Sequence, residues 1–156
     1  EVTEFISTVL QETGANKVSV IGHSQGGLLA FLASNTPDLV DRIDRIIAVA
    51  PSLRGTDRIP PKVSSAHCPA CIQLGSESDF MRDLQNRKLN PGGLRALVLA
   101  TKDDLVVTPV ESQFLDEPGV TNLYLQDQFP TLRASHSGLL HVPETAALIR
   151  DFLIKE

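Results

Sequence analysis

The sequence VSVIGHSQGGLLAFLAS, residues 18–34, places a lone serine at an abrupt change of local structure. An apolar run rich in β-branched residues, which is typical of a buried strand, stops at Gly22. A pattern typical of a helix begins at Gln25. The inner side of that helix is predicted to carry Leu28, Leu29, Leu32 and Ala33. Ser24 therefore lies on a sharp strand-to-helix turn.

The letters G-H-S-Q-G at this turn match G-x-S-x-G, and a strand before them and a helix after them are the setting of a nucleophile elbow. Such a turn strains the serine backbone and exposes its hydroxyl at the carboxyl end of the sheet. Gly22 and Gly26 are expected to leave no room for a Cβ, and Gly27 eases the approach of strand and helix. The helix from Gln25 directs N–H groups at an oxyanion near Ser24. The alternative is a glycine-rich turn whose serine has no chemical role.

A serine hydroxyl needs a base to take its proton, and the sequence offers four histidines. His136 lies in a polar loop after the last predicted strand, where a base would reach the carboxyl end of a parallel sheet. His23 lies inside the turn and is expected to pack on the other side of the strand. His67 lies beside the cysteines, and His141 lies near the start of the last helix. We therefore predict that His136 is the base, within hydrogen-bond reach of Ser24 Oγ.

Two adjacent carboxylates follow the third predicted strand, in the segment VLATKDDLVVTP. Asp104 precedes three apolar residues that can anchor it beneath the histidine, whereas Asp103 is expected to face solvent or cap the loop. Asp104 is therefore the predicted orienting acid. The chain order Ser24, Asp104, His136 is the order expected when a G-x-S-x-G turn carries the nucleophile.

Strand and helix patterns alternate along the chain, and the strands are nearly continuous apolar runs. Strands are predicted over residues 17–21, 45–50, 94–100 and 121–126, and helices before Gly14 and over residues 25–34, 79–87 and 143–156. Such alternation is typical of a parallel sheet covered by helices on both faces. Residues 51–76 are predicted to form a long loop. The predicted fold class is α/β, with a parallel sheet flanked by helices in one domain over residues 1–156.

The overall composition narrows the possible functions. The chain has 156 residues, of which 42% are hydrophobic, enough to fill a substantial core. Its formal net charge of −5 at pH 7 disfavours nucleic acid as a partner. No apolar run reaches the ~18 residues that a membrane span requires, so no transmembrane segment is predicted. The serine chemistry outlined above requires no cofactor and no metal.

Four segments, GHSQGGL, DRIIAVAPSLRGT, DLVVTP and SHSGLL, resemble lipase segments and occur in the same order. From about residue 15 onward, the sequence resembles the α/β-hydrolase superfamily, and within it the extracellular lipases of the small bacterial and fungal lipase B types. The resemblance implies that Ser24, Asp104 and His136 cleave carboxylic esters through an acyl-enzyme. It implies that the Gln25 amide stabilises the oxyanion and that the substrate is a lipid or a small ester. Such an enzyme can also contact a lipid interface.

One part of the family pattern has no counterpart in this sequence. The family has strands and a His-Gly loop upstream of the nucleophile turn, and that loop donates the first oxyanion amide. We therefore expect the 156 residues to correspond to the carboxyl-terminal part of a larger hydrolase. We also expect this chain alone to be a weak enzyme or none, and strand 17–21 to have an unpaired edge or to pair with another copy.

Cys68 and Cys71 form a C-x-x-C motif in the segment HCPAC. The preceding KVSSAH is not a strand pattern, which argues against a thioredoxin-like motif. A zinc site needs about four ligands, and His67 is the only further ligand near the two cysteines, which argues against zinc. A short-range disulfide, two reduced thiols, and metal or redox chemistry remain three alternatives, of which we favour the disulfide. A disulfide fits the extracellular location that the resemblance implies. The chain starts at Glu1 rather than Met, so its lack of a signal peptide does not identify the compartment.

A nucleophile, a base and an acid do not name a substrate, because acyltransferases, thioesterases and peptidases use the same triad. A non-catalytic binding protein of the same fold is a further alternative, although it would not need a complete triad. Leu105, Leu139 and Leu140 flank triad members, where they either line an acyl pocket or belong to the core. Labelling of Ser24 by a fluorophosphonate probe separates an enzyme from a binding protein.

Overall fold

The computed structural model describes residues 1–59 and 66–155, and within them a four-stranded parallel sheet has the strand order β1-β2-β3-β4. The strands are β1 (Val18–His23), β2 (Ile43–Val49), β3 (Arg95–Ala100) and β4 (Val120–Tyr124). The helices are α1 (Val2–Thr13), α2 (Gln25–Ser34), α3 (Pro69–Gln73), α4 (Asp79–Gln85), α5 (Leu125–Gln128) and α6 (Pro143–Ile154), with 3₁₀ turns at Val110–Gln113 and Gly138–His141. The predicted α/β class, a parallel sheet flanked by helices, is confirmed.

The central strands are apolar throughout because their side chains alternate between two cores. Ile46 and Ala48 of β2 face the layer that contains α1 and α2. Ile47 and Val49 face the opposite layer, to which α6 contributes. All four residues are at most 1% exposed. Burial on both faces explains why the strand pattern is a continuous apolar run rather than an alternating one.

The observed elements differ from the predicted ones mainly at their ends. The predicted strand over residues 121–126 ends at Tyr124, and α5 follows it directly. The chain turns there because Leu125 is fully buried in the core on the α6 side and the Gln126 side chain binds the loop after β3. The predicted loop over residues 51–76 contains the short helix α3.

Some predicted features fall outside the described residues. Residues 60–65, in the middle of the predicted long loop and including most of KVSSAH, lie outside them, as does Glu156 at the end of the predicted last helix. Within the described part of the chain, α6 ends at Ile154. No helix in that part combines the length and the apolarity that crossing a bilayer would require.

Among the described residues, β1 lies at one edge of the sheet and pairs only with β2. A mainly apolar groove runs along this edge, and its lining includes Val2 and Phe5 of α1. Ile21 of β1 also lines it and is 53% exposed. The strand that leads into the serine turn is therefore the edge strand of the described sheet, and its outer side is open there.

Candidate active site

Ser24 lies between β1 and α2 in a backbone conformation that serine rarely adopts. Its φ is 55° and its ψ is −124°. Positive φ strains a residue with a Cβ and persists only where the surroundings impose it. Here the Ser24 N–H donates to the carbonyl of Val49 at 2.9 Å, and the Ser24 carbonyl accepts from the N–H of Gly27 at 3.0 Å. The end of β2 and the first turn of α2 therefore hold the strained serine in place.

Two of the three glycines around this turn are required by close contacts. A Cβ at Gly22 would overlap the backbone carbonyl of Gly26. A Cβ at Gly27 would lie 2.7 Å from the Pro51 Cβ and 3.0 Å from the Ala48 Cβ. The prediction that Gly26 also leaves no room is wrong, because a Cβ there would meet no atom within 4 Å. The backbone of Gly26 makes the close approach, but its own side-chain direction points into open space.

This difference predicts opposite outcomes for two similar substitutions. Gly22→Ala forces β1 away from α2, and we expect it to lower the free energy of unfolding by about 1–3 kcal/mol or more. Gly26→Ala adds a methyl group in open space at a helical position, so we expect a change within about 0.5 kcal/mol or a slight gain. Thermal melting of the two variants provides the comparison. Equal destabilisation by both would contradict the assignment of the close contact to Gly22.

The side chains of Asp104 and His136 meet on loops that follow β3 and α5. His136 Nδ1 donates to Asp104 Oδ2 at 2.7 Å. Asp104 is 2% exposed and His136 is 8% exposed, so the pair is shielded from water. Because a carboxylate can only accept here, the proton lies on Nδ1, and Nε2 of the neutral ring is an unprotonated acceptor. Asp103 instead accepts from Gln126 Nε2 at 3.2 Å and does not contact His136.

Hydrogen bonds from several directions keep the Asp104 carboxylate charged. Oδ1 accepts from the backbone N–H of Val106 at 2.8 Å and of Val107 at 3.0 Å. Oδ2 accepts from His136 and also from Gln113 Nε2, at 2.9 Å. Burial raises the pKa of Asp104, but the hydrogen bonds from His136, Val107 and Val106 outweigh it and hold the pKa below 3.8. The acid is therefore ionised at neutral pH and fixed in orientation.

Gln113 is a site residue that the sequence reasoning missed. It is fully buried, and its amide nitrogen bridges Asp104 Oδ2 and the carbonyl of Val107, the latter at 3.2 Å. Its Oε1 has no hydrogen-bond partner in the described structure. A glutamine in a short 3₁₀ turn nine residues after an aspartate belongs to no recognisable motif, so only the fold reveals this contact.

The backbone N–H of Gln25 is placed to bind an anion next to Ser24. Gln25 is the first residue of α2, and N–H groups in the first turn of a helix have no partner within the helix. No acceptor among the described residues takes this N–H.

The predicted hydrogen bond between Ser24 Oγ and His136 is not formed in this structure, although the ring of the adjacent His23 packs against His136. Catalytic hydrogen bonds of this type are often long before substrate binds.

The other histidines and leucines that the sequence singled out take no part in the hydrogen bond between Asp104 and His136. His67 and His141 are both exposed. Among residues 1–59 and 66–155, no cluster of three or more His, Cys, Asp or Glu side chains could hold a metal ion. Leu139 is fully buried and belongs to the core, whereas Leu105 and Leu140 are 71% and 52% exposed. Leu105 follows Asp104 directly in the sequence, and Leu140 lies four residues after His136.

Cys68 and Cys71 form a disulfide, at the start of α3. The favoured one of the three alternatives is therefore the one that the structure contains. We expect alkylation of the unfolded, unreduced protein to add no mass, and alkylation after reduction to add two alkyl groups. Mass spectrometry provides the measurement, and two alkylated cysteines without reductant would contradict the disulfide.

The fold built from these elements is that of the α/β-hydrolases. The structure is similar to that of Aspergillus fumigatus lipase B, with a TM-score of 0.75 and 24% sequence identity, over 89% of this chain and 37% of that one. The family model described as Lipase (class 2) matches residues 1–145. The chain therefore belongs to the class 2 lipase family, and the superfamily resemblance seen in the sequence is confirmed.

Two curated relatives are triacylglycerol lipases, from Pseudarthrobacter phenanthrenivorans and Burkholderia plantarii. Each is 32% identical to this chain over 150 residues, which is 95% of the chain. The chain spans 35% and 31% of their lengths, respectively, or about a third. The similarity thus covers nearly all of this chain but only part of each relative.

Proposed function

We propose that this chain carries the catalytic residues of a serine hydrolase that cleaves carboxylic esters. The observation that carries the proposal is the 2.7 Å hydrogen bond between His136 Nδ1 and Asp104 Oδ2. It leaves Nε2 as the free base nitrogen, and the His136 ring packs against the residue that precedes Ser24. Membership of the class 2 lipase family supports this chemistry.

In the proposed mechanism, His136 Nε2 takes the proton of Ser24 as Oγ attacks the ester carbonyl. The Gln25 N–H donates to the resulting oxyanion, and Asp104 stabilises the imidazolium that forms. His136 then returns the proton to the leaving alcohol, which gives an acyl-enzyme on Ser24. Water, activated by the same histidine, hydrolyses that intermediate and releases the carboxylic acid. These steps require no cofactor.

We further propose that the substrate is a triacylglycerol or a related lipid ester. The two curated relatives described above are triacylglycerol lipases. The apolar side chains of Leu105, Val106 and Leu140 are 71%, 50% and 52% exposed, close in sequence to Asp104 and His136. Exposed apolar groups beside a reactive centre are suited to contact with acyl chains or a lipid interface.

An extracellular location is also proposed, on the basis of the Cys68–Cys71 disulfide. Disulfides persist in oxidising compartments and are rare in the cytosol. The location implied by the sequence resemblance agrees with this observation.

A fluorophosphonate probe tests the proposed nucleophile directly, followed by p-nitrophenyl esters of increasing acyl length to define the substrate. We expect covalent labelling of the peptide that contains Ser24, and ester hydrolysis that is lost once the probe has reacted. A full-length protein that folds but is not labelled would be a binding protein of the same fold. Hydrolysis confined to thioesters, or acyl transfer to an alcohol in preference to water, would favour a thioesterase or an acyltransferase.

A further inference from the structure

His23 directly precedes Ser24 at the end of β1, and its side chain reaches a loop 113 residues later in the chain. Its Nε2 lies 3.1 Å from the backbone carbonyl oxygen of His136. The two imidazole rings also pack together, with centroids 4.6 Å apart and planes inclined by 50°. The sequence-based expectation that His23 packs on the other side of the strand misses this contact, because sequence spacing does not show which loop folds over the turn.

The contact has a defined direction. A carbonyl oxygen can only accept a hydrogen bond, so Nε2 of His23 carries the proton and donates it. The pKa of His23 lies below 6.5, mainly because burial disfavours the charged ring, and the electrostatic effect of His136 lowers it further. The hydrogen bond to the His136 carbonyl and the nearby Asp104 raise the pKa but do not outweigh these two effects. The neutral ring with its proton on Nε2 is therefore the form present at neutral pH.

The main-chain hydrogen bonds that the structure shows for the loop carrying His136 are local and span three or four residues. Residues 132–135 form neither helix nor strand. Side chains fix the loop instead: Thr101 Oγ1 donates to the carbonyl of Ala134 at 2.8 Å, and Asp104 accepts from the His136 ring. The hydrogen bond from His23 is the one that reaches the His136 backbone from the nucleophile turn.

We propose that His23 is a positioning residue that fixes the backbone and ring of His136 relative to Ser24. The inference rests on the proposed function, in which His136 Nε2 must approach Ser24 Oγ. On one side, Asp104 fixes the orientation of the His136 ring. On the other side, His23 fixes the distance between His136 and the turn that carries Ser24. Displacement of a reacting group by about 1 Å can lower the rate by ~10²-fold. Loss of the single hydrogen bond between His23 and the His136 carbonyl should therefore have a measurable effect on the rate.

Two substitutions separate the hydrogen bond from the packing. His23→Gln keeps an N–H donor at nearly the position of Nε2, whereas His23→Phe keeps a ring against His136 but has no donor. We expect His23→Phe to lower kcat and the rate of fluorophosphonate labelling by about 10–100-fold with little change in KM. We expect His23→Gln to stay within about threefold of the wild type. His141→Phe makes the same change at an exposed histidine and should have no effect.

A spectroscopic measurement tests the inference independently of activity. The proton that His136 Nδ1 shares with Asp104 should give a low-field NMR signal in the wild type and in His23→Gln, and a shifted or exchange-broadened signal in His23→Phe. Melting curves establish that each variant is folded. Labelling rates and an NMR signal that His23→Phe leaves unchanged would overturn the positioning role. A full-length wild type that is not labelled would refute the proposed function, and the NMR comparison would then decide the inference alone.

Discussion

Replacement of Ser24 by alanine is expected to lower kcat for ester hydrolysis by about 10⁶-fold in the full-length protein, which is the scale seen when a triad nucleophile is removed. Alanine has no oxygen to form the acyl-enzyme, and His136 then has no hydroxyl proton to take. The Gln25 N–H and the binding site would still act on the ester, so a small residual rate above that in water should remain. Initial rates with a p-nitrophenyl ester and labelling with a fluorophosphonate probe provide the two measurements.

Ser137→Ala is the matched control for this experiment. Ser137 is exposed and adjacent to His136, and its hydroxyl makes no hydrogen bond in the described structure. We expect this variant to retain activity within about twofold and to remain labelled at Ser24. Melting temperatures near that of the wild type should accompany both substitutions, since neither removes core packing. Substantial turnover by Ser24→Ala would mean that another nucleophile carries the reaction.

The fold could be predicted because its information is local. An apolar run such as β2 or β3 specifies a strand buried on both faces, and a glycine-flanked serine between strand and helix specifies the turn that joins them. Element ends were less predictable, because tertiary contacts decide them. Leu125 is an example, because the residues around it favour a strand that continues through it. Its side chain is instead buried in the core on the α6 side, and β4 ends at the preceding residue, Tyr124.

The candidate site divides in the same way. Ser24, Asp104 and His136 stand in segments whose order and position after strands can be recognised in the sequence. The contacts made by His23 and Gln113 could not be recognised, because each joins segments far apart in the chain or lies in a turn without a motif. The Gly26 prediction failed for a related reason. A close backbone contact can be inferred from glycine content, but which glycine has the blocked side-chain direction depends on the exact path of the turn.

The assignment of the acid leads to the second large expected effect. Asp104→Asn should lower kcat/KM by about 10⁴-fold, whereas Asp103→Asn should change it by less than about threefold. An asparagine at position 104 can keep Oδ1 as the acceptor for Val106 and Val107. Its Nδ2 would then replace Oδ2, the oxygen that now accepts hydrogen bonds from His136 Nδ1 and Gln113 Nε2. The new amide N–H groups would face two other N–H donors, and no acceptor would remain between them.

His136 can relieve this conflict by moving its proton from Nδ1 to Nε2, and Gln113 can do so by turning its unpaired Oε1 toward the new amide. The first change removes the free base nitrogen, so Ser24 can no longer lose its proton to His136, although the fold persists. Asp103→Asn lacks this consequence, because Asp103 accepts only from Gln126. Loss of activity by Asp103→Asn, with Asp104→Asn active, would transfer the role of the acid to Asp103.

The pH dependence of stability provides a second test of the same substitution. The pKa of Asp104 is held below 3.8 in the folded protein, so its ionised form stabilises the fold at all pH values above 3.8. That contribution is lost as the pH falls below 3.8 and through the lowered pKa of the folded state. Asp104→Asn should therefore melt at a lower temperature than the wild type near neutral pH, and the difference should shrink in acid. Melting curves across this range provide the measurement. A difference in melting temperature that stays constant with pH would show that the hydrogen bonds from His136 and the loop to the charged carboxylate do not stabilise the fold.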